Sequence, residues 1–209
     1  MSELESVAEQ KAHLRRQARE VRAQLGAERI AEASAAICAR LAGLVRDHRA
    51  RTEGLVISAF WPLPGEIDLR PLLRSVASDG VTVALPTVTS TPVESPRLIH
   101  RAMPGRMSPR SDAPLVRGRF GVMEPPPGSP EIAPEAVDLA VVPALAVSRE
   151  GVRLGYGGGY YDTFLAQTSA LRIGVVLAAC LVDLLPAESH DARMHRIMTE
   201  EETLRVDIR

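Results

Sequence analysis

The spacing of apolar positions changes several times along the chain, and each change marks an element. Between residues 6 and 49 apolar side chains recur at helical intervals: Leu14, Ala18, Val21 and Leu25 form one stripe. The segment reads as two helices. At about 100° per residue, Lys11, Arg15, Arg19 and Arg22 form a second stripe roughly a quarter-turn away, on the border of the buried face. Such a stripe is either a solvated basic face or a row of cations reaching over the core edge towards an anion. Gly54 to Trp61 then reads as a strand that ends in a Pro-Gly loop. Leu69 to Ser78 reads as a helix with Asp68 near its N-cap, and "GVTVALPTV" as a second strand.

Residues 89–119 form an irregular excursion rich in Pro, Gly, Ser and Arg, with short strand-like pieces such as "RLIHR". Neither flank completes a core alone, so it belongs within one domain. Asp138 to Val147 is almost continuously apolar, as expected of a strand buried on both faces of a parallel sheet. A glycine-rich loop follows, then a helix ("YYDTFLAQTSA"), a buried strand ("LRIGVVLAA") and a last strand ("TLRVDI"). Strands alternating with helices predict a single three-layer α/β domain over residues 1–209, its mostly parallel sheet flanked by helices. Residues 1–10 are expected to be disordered.

Composition narrows the function classes. At 209 residues and 45% hydrophobic the chain can build a real core, and with 3% aromatics that core is aliphatic. Lys+Arg 25 against Asp+Glu 26 leaves a net charge of -1, so no global field attracts nucleic acid or anionic lipid. Cys38 and Cys180 lie far apart and read as buried thiols of a reducing compartment. The N-terminus has no apolar signal region, and the most apolar run, Ile173 to Val182, is too short to span a bilayer. The expectation is a cytoplasmic monomer without membrane or nucleic-acid partners.

The candidate chemistry sits in "GVRLGYGGGYYDTFLA", Gly151 to Ala166, with five glycines and three tyrosines. A buried strand, a glycine cluster and a helix in that order suit anion binding. Glycines turn successive N–H groups inward, and the helix start adds partial positive charge. The two common nucleotide fingerprints fail, since no lysine follows the glycines and Tyr160 stands where G-x-G-x-x-G needs its last glycine. Positive charge must come from Arg153 and from elsewhere. Asp162, in the first helical turn, is either ordinary dipole compensation or a Mg²⁺ ligand beside phosphates.

The stretch "GVRLGYGGGYYDTFL" resembles the signature of the 5-formyltetrahydrofolate cyclo-ligase (methenyltetrahydrofolate synthetase) family. "KAHLRRQAREVR", "PGEIDL", "FGVMEPP", "DLAVVPALAVSREG" and "PAESHDARMHRIMTEEE" fall in that family's order, covering about Lys11 to Glu202. The resemblance implies ATP- and Mg²⁺-dependent closure of 5-formyltetrahydrofolate to 5,10-methenyltetrahydrofolate. The formyl oxygen attacks the γ-phosphate, N10 adds to the activated carbon, and phosphate leaves. By the same resemblance Lys11 and Arg15 meet the ATP phosphates, and Arg153, Leu154, Gly155, Tyr156, Gly157, Gly158, Gly159, Tyr160 and Tyr161 wrap the nucleotide. Arg153 and Lys11 neutralise phosphate charge, and no residue acts as a nucleophile. Trp61, Glu66 and Phe120 fall on substrate-contacting positions, and Asp162 on a metal ligand.

Three departures stand out. His195 occupies a position where the family usually has an aspartate near the metal, and an imidazole there favours Mn²⁺ or Zn²⁺ over Mg²⁺. Asp191 and Glu188 are the alternative carboxylates nearby. Cys180 and Leu177 replace a glutamine and a phenylalanine, and the 89–119 excursion is longer and more basic than the family pattern. Two other functions remain open on sequence alone. One is a divergent relative acting on a different N-formyl or carboxyl substrate. The other is a nucleic-acid-binding module using the basic first helix with Arg97, Arg101, Arg106, Arg110, Arg117 and Arg119.

Overall fold

The computed structural model describes residues 6–89, 97–104 and 114–208. Helix α1 (Val7–Arg49) begins at a full capping box. The Ser6 hydroxyl accepts the Glu9 N–H at 3.3 Å, and the Glu9 carboxylate accepts the Ser6 N–H at 2.9 Å. Residues 7–10 are therefore helical, where sequence reasoning expected disorder. Gly26 breaks the helix at φ 73°, ψ 163°, so the segment is two helices joined at one residue, as the periodicity predicts.

The remaining elements follow in order: β1 (Val56–Ser58), α2 (Arg70–Ser78), β2 (Thr82–Thr89), β3 (Arg97–Ala102), β4 (Val116–Arg117), β5 (Met123–Glu124) and β6 (Glu131–Ile132). Then come β7 (Leu139–Pro143), β8 (Ala146–Ser148), β9 (Arg153–Leu154), α3 (Tyr160–Leu165), β10 (Leu171–Val175), β11 (Leu181–Val182), β12 (Arg196–Met198) and β13 (Thr203–Arg205). The main sheet runs β13-β12-β10-β7-β1-β2-β3-β6. Its middle five strands are parallel, and β13, β3 and β6 add antiparallel edges. Strands β11-β8-β9 form a separate small sheet, and β4 pairs with β5.

Alternation along the strands builds three layers. Ile57, Val83, Leu139, Val141 and Ile173 face the second half of α1 and helix α2, packing on Ile37, Leu41, Leu72 and Leu73. Ala140 and Val142 face the other way, onto Phe164 and Leu165 of α3. The break at Gly26 gives the first half of α1 its own surface: Leu14, Ala18 and Val21 pack on Val147 and Leu154 of the small sheet and on Cys180 just before it. Cys180 and Leu177, two of the departures from the family pattern, are both core residues. The excursion is partly regular, because β2 and β3 pair over Thr89↔Arg97 to Ala84↔Ala102; Arg106 and Arg110 lie outside the described residues. Among the described residues no helix is long and apolar enough to cross a membrane.

Candidate active site

Parallel sheets bind ligands beyond the carboxyl ends of their strands, and the glycine loop, which follows β9, is tied to the end of β7. Arg153 fastens it. One guanidinium nitrogen donates to the Pro143 carbonyl at 3.4 Å, and another reaches both oxygens of Asp162 at 3.1 Å. The guanidinium carbon lies 5.5 Å from the Tyr161 ring centre. With only 6% of its side chain exposed, Arg153 forms a buried pair with Asp162 and ties the start of α3 to the strand end. Leu154 is buried beneath the loop.

The glycines are needed where they stand. Gly157 (φ 101°) and Gly159 (φ 69°) adopt backbone angles that side chains rarely tolerate. A Cβ at Gly157 would lie 3.3 Å from the Arg15 guanidinium carbon. Arg15 itself donates from Nε to the Gly155 carbonyl at 2.9 Å. The Tyr160 ring occupies the space a Cβ at Gly158 would need.

Tyr156, within the loop, reaches the Pro-Gly turn after β1. Its hydroxyl donates to Glu66 Oε1, and Glu66 Oε2 accepts the Leu63 N–H at 2.8 Å. Arg22 completes the join, donating to the Tyr156 hydroxyl at 3.3 Å and to the Gly65 carbonyl at 2.9 Å. Although Tyr156 is 44% exposed overall, partial burial of its hydroxyl, with the Glu66 charge beside it, raises the phenol above its ordinary range. Beside this junction opens a groove of about 610 Å³, lined by Ala23, Ile30, Pro64, Glu66, Leu145 and Tyr156 among others. The buried Tyr161 hydroxyl and the Arg153 Nε have no hydrogen-bond partner among the described residues.

Lys11, one helical turn before Arg15, is buried against acids from the far end of the chain. Its ammonium donates to Glu188 at 2.8 Å and to Asp191 at 2.6 Å. Burial opposes the lysine's charge, but those two acids outweigh it and hold its pKa above the usual value. Burial likewise opposes the Asp191 charge, and the Lys11 ammonium more than offsets that, leaving its pKa below the ordinary range.

Two expected site residues lie elsewhere. Trp61 is a core residue, 2% exposed and covered by Arg74, whose guanidinium carbon is 5.2 Å from its ring centre; it presents no open stacking face. His195 Nδ1 accepts the Arg172 N–H at 2.9 Å, and Arg172 pairs with Ala140 at the beginning of β7, not with Pro143 at its end. Three residues of strand, about 10 Å, separate that position from the Arg153 anchor. His195 thus caps the back of the sheet. The acids that reach Lys11 are Asp191 and Glu188, and with His190 they place three ligand atoms within 4.8 Å of one another. Phe120 is 63% exposed in a left-handed conformation (φ 60°), with its ring centre 6.3 Å from that of Tyr160.

The profile of the 5-formyltetrahydrofolate cyclo-ligase family matches residues 7–200. The chain belongs to that family. A 5-formyltetrahydrofolate cyclo-ligase of Mycolicibacterium smegmatis is 34% identical over 154 residues, covering 71% of this chain and 75% of the relative. One from Haemophilus influenzae is 26% identical over 189 residues, covering 88% and 95%. Among solved structures, the 5,10-methenyltetrahydrofolate synthetase of Aquifex aeolicus superposes with a TM-score of 0.76 at 30% identity, covering 95% of this chain and 94% of that one.

Proposed function

We propose that the glycine loop with Lys11 and Arg15 holds ATP, and that the groove beside Glu66 holds the folate. The reaction is the family's: ATP-dependent closure of 5-formyltetrahydrofolate to 5,10-methenyltetrahydrofolate, with release of ADP and phosphate. One observation carries the assignment of the two half-sites. The Tyr156 hydroxyl, from the middle of the glycine loop, is bonded to Glu66 on the wall of the groove, so the nucleotide cradle and the groove share a side. That arrangement suits direct attack of a formyl oxygen on a γ-phosphate, which demands positioning and charge neutralisation rather than a protein nucleophile.

Each group then has a task. Arg15 and Arg153 supply fixed positive charge at the loop, and Lys11 a third cation one turn away. The inward amide groups of Gly157 to Gly159 cradle phosphate oxygens. Glu66 accepts from the N–H edge of the pterin. The Tyr161 hydroxyl and Arg153 Nε, unpartnered here, are donors left for ligand. Phe120 faces the substrate from above Tyr160.

Oxygen donors for a hard cation occur at two places: Asp162, partly exposed and paired with Arg153, and Asp191 with Glu188, paired with Lys11. Mg²⁺ bound there would neutralise charge on the transferring phosphates. His195 is held at the back of the sheet, so Asp191 takes the role that the family resemblance gives to His195. The test is an absorbance assay with 5-formyltetrahydrofolate, ATP and Mg²⁺. A nucleotide- and metal-dependent rise of the near-ultraviolet methenyl band is expected, and a flat trace with ATP bound would reject the reading.

A further inference from the structure

Arg22 belongs to no motif of the glycine loop, yet it stands where the two half-sites join. Its guanidinium is shared between elements far apart in sequence: one nitrogen donates to the Gly65 carbonyl at 2.9 Å, another to the Tyr156 hydroxyl at 3.3 Å. Gly65 precedes Glu66 and has φ 80°, so its carbonyl direction governs where the next residue points. Tyr156 bonds Glu66 Oε1, while the Leu63 N–H holds Oε2.

The hydrogen-bond count explains why a cation is needed. A neutral phenol has one proton to donate and lone pairs to fill. Tyr156 gives its proton to Glu66, so any further partner must be a donor. A phenol, with an ordinary pKa of about 10, is protonated through the physiological range, and the Glu66 charge beside this one reinforces that. Arg22 supplies a donor from a rigid fork that simultaneously holds the turn bearing Glu66. A lysine, with its charge at one point on a flexible stem, does not hold both acceptors in a fixed relation.

We infer that Arg22 is a positioning residue for the folate half of the site: its fork on Gly65 and Tyr156 fixes the Glu66 carboxylate for the substrate. The inference rests on the proposed function, and it concerns the folate side alone. Arg15, on the same helix, serves the glycine loop through Gly155. Loss of Arg22 should therefore move one Michaelis constant and not the other.

The experiment is steady-state kinetics of Arg22→Gln, Arg22→Lys, Tyr156→Phe and the Arg22→Gln/Tyr156→Phe double variant, read by the methenyl band. Arg29→Gln, which removes an exposed pair with Glu32, is the control. Arg22→Gln and Arg22→Lys should each raise the KM for 5-formyltetrahydrofolate about tenfold, with the KM for ATP within about twofold of wild type. The double variant should be no worse than the poorer single one, because both act on the same carboxylate. An unchanged folate KM in Arg22→Gln, parallel increases for both substrates, or strictly additive losses would each overturn the inference. A wild-type chain that forms no methenyl product would overturn the functional reading and this inference with it. An active wild type with unaffected Arg22 variants would overturn this inference alone.

Discussion

His100 shows what one buried side chain imposes on the whole protein. It lies on β3, 2% exposed, with its ring centre 4.0 Å from that of Phe164 and its Nε2 unpartnered among the described residues. Burial pushes its pKa from 6.5 down to about 4. The unfolded chain therefore takes up a proton below pH 6.5 that the folded chain refuses until about pH 4. Stability is unaffected above that window and falls as pH drops through it, by on the order of 3 kcal/mol. His100→Leu, similar in bulk and unable to titrate, should flatten that part of the curve in denaturant titrations at pH 7, 5.5 and 4. An unchanged slope would assign the acid sensitivity to other groups. Asp162 makes a different prediction. It is the partner of a buried guanidinium, so Asp162→Ala would damage both the fold and the chemistry, by leaving Arg153 without its anion. Asp162→Asn separates the two effects. It keeps hydrogen-bonding capacity while removing charge, and it should lower kcat about a hundredfold or more with a modest loss of melting temperature. Near-normal turnover would remove Asp162 from the proposed metal site.

At the scale of elements, much was legible because local chemistry set it. The apolar run 138–147 announced a strand buried on both faces, and β7 is the sheet's central one, flanked by β10 and β1. The glycine cluster announced backbone that side chains rarely adopt, and Gly157 and Gly159 take positive φ just before α3. The small β8-β9-β11 sheet was not legible, since its strands are two or three residues long and leave no period to read. Nor was the meeting of Lys11 with Asp191, 180 positions away; nothing local marks either partner. Trp61 misled because an aromatic at a strand end suits a core and a binding face equally. Glycines sharpen the point, since identical residues carry different burdens. A Cβ added at Gly54 (φ 70°) would meet nothing within 4 Å, whereas one at Gly151 (φ 84°) would lie 2.7 Å from the Met194 carbonyl oxygen. Gly54→Ala should cost about 1 kcal/mol from backbone strain alone. Gly151→Ala adds a backbone clash between the β8–β9 turn and the β12 approach, and should cost about 3 kcal/mol or more. Equal losses in urea titrations would mean that the turn yields freely.

Across the whole molecule, α1 is the part that joins the others. Its second half covers the main sheet, its first half covers the small sheet, and its basic stripe reaches three loops. Arg22 holds the Pro-Gly turn, Arg15 the glycine loop and Lys11 the 188–191 loop. The stripe is thus a set of struts around the site, with Lys11 the most deeply buried. Lys11→Met should raise the KM for ATP severalfold and destabilise the fold by on the order of 3 kcal/mol, since it leaves Asp191 buried without its cation. The pH dependence distinguishes that pairing from simple loss of packing. Lys11 has a folded pKa raised above 10.5, so its contribution is complete below that value and is lost as pH rises through the folded pKa. Asp191 has a folded pKa depressed below 3.8, so its contribution is present above that value and is lost as pH falls through the folded pKa. The stability gap between wild type and Lys11→Met should therefore be widest on the plateau between about pH 4 and 10 and shrink at both ends. Guanidinium would screen the pair, so urea titrations at pH 3, 7 and 11 are the appropriate measurement. A gap that persists unchanged at pH 3 would show that Lys11 acts through its aliphatic stem, and that the 188–191 loop is held against α1 by something other than charge.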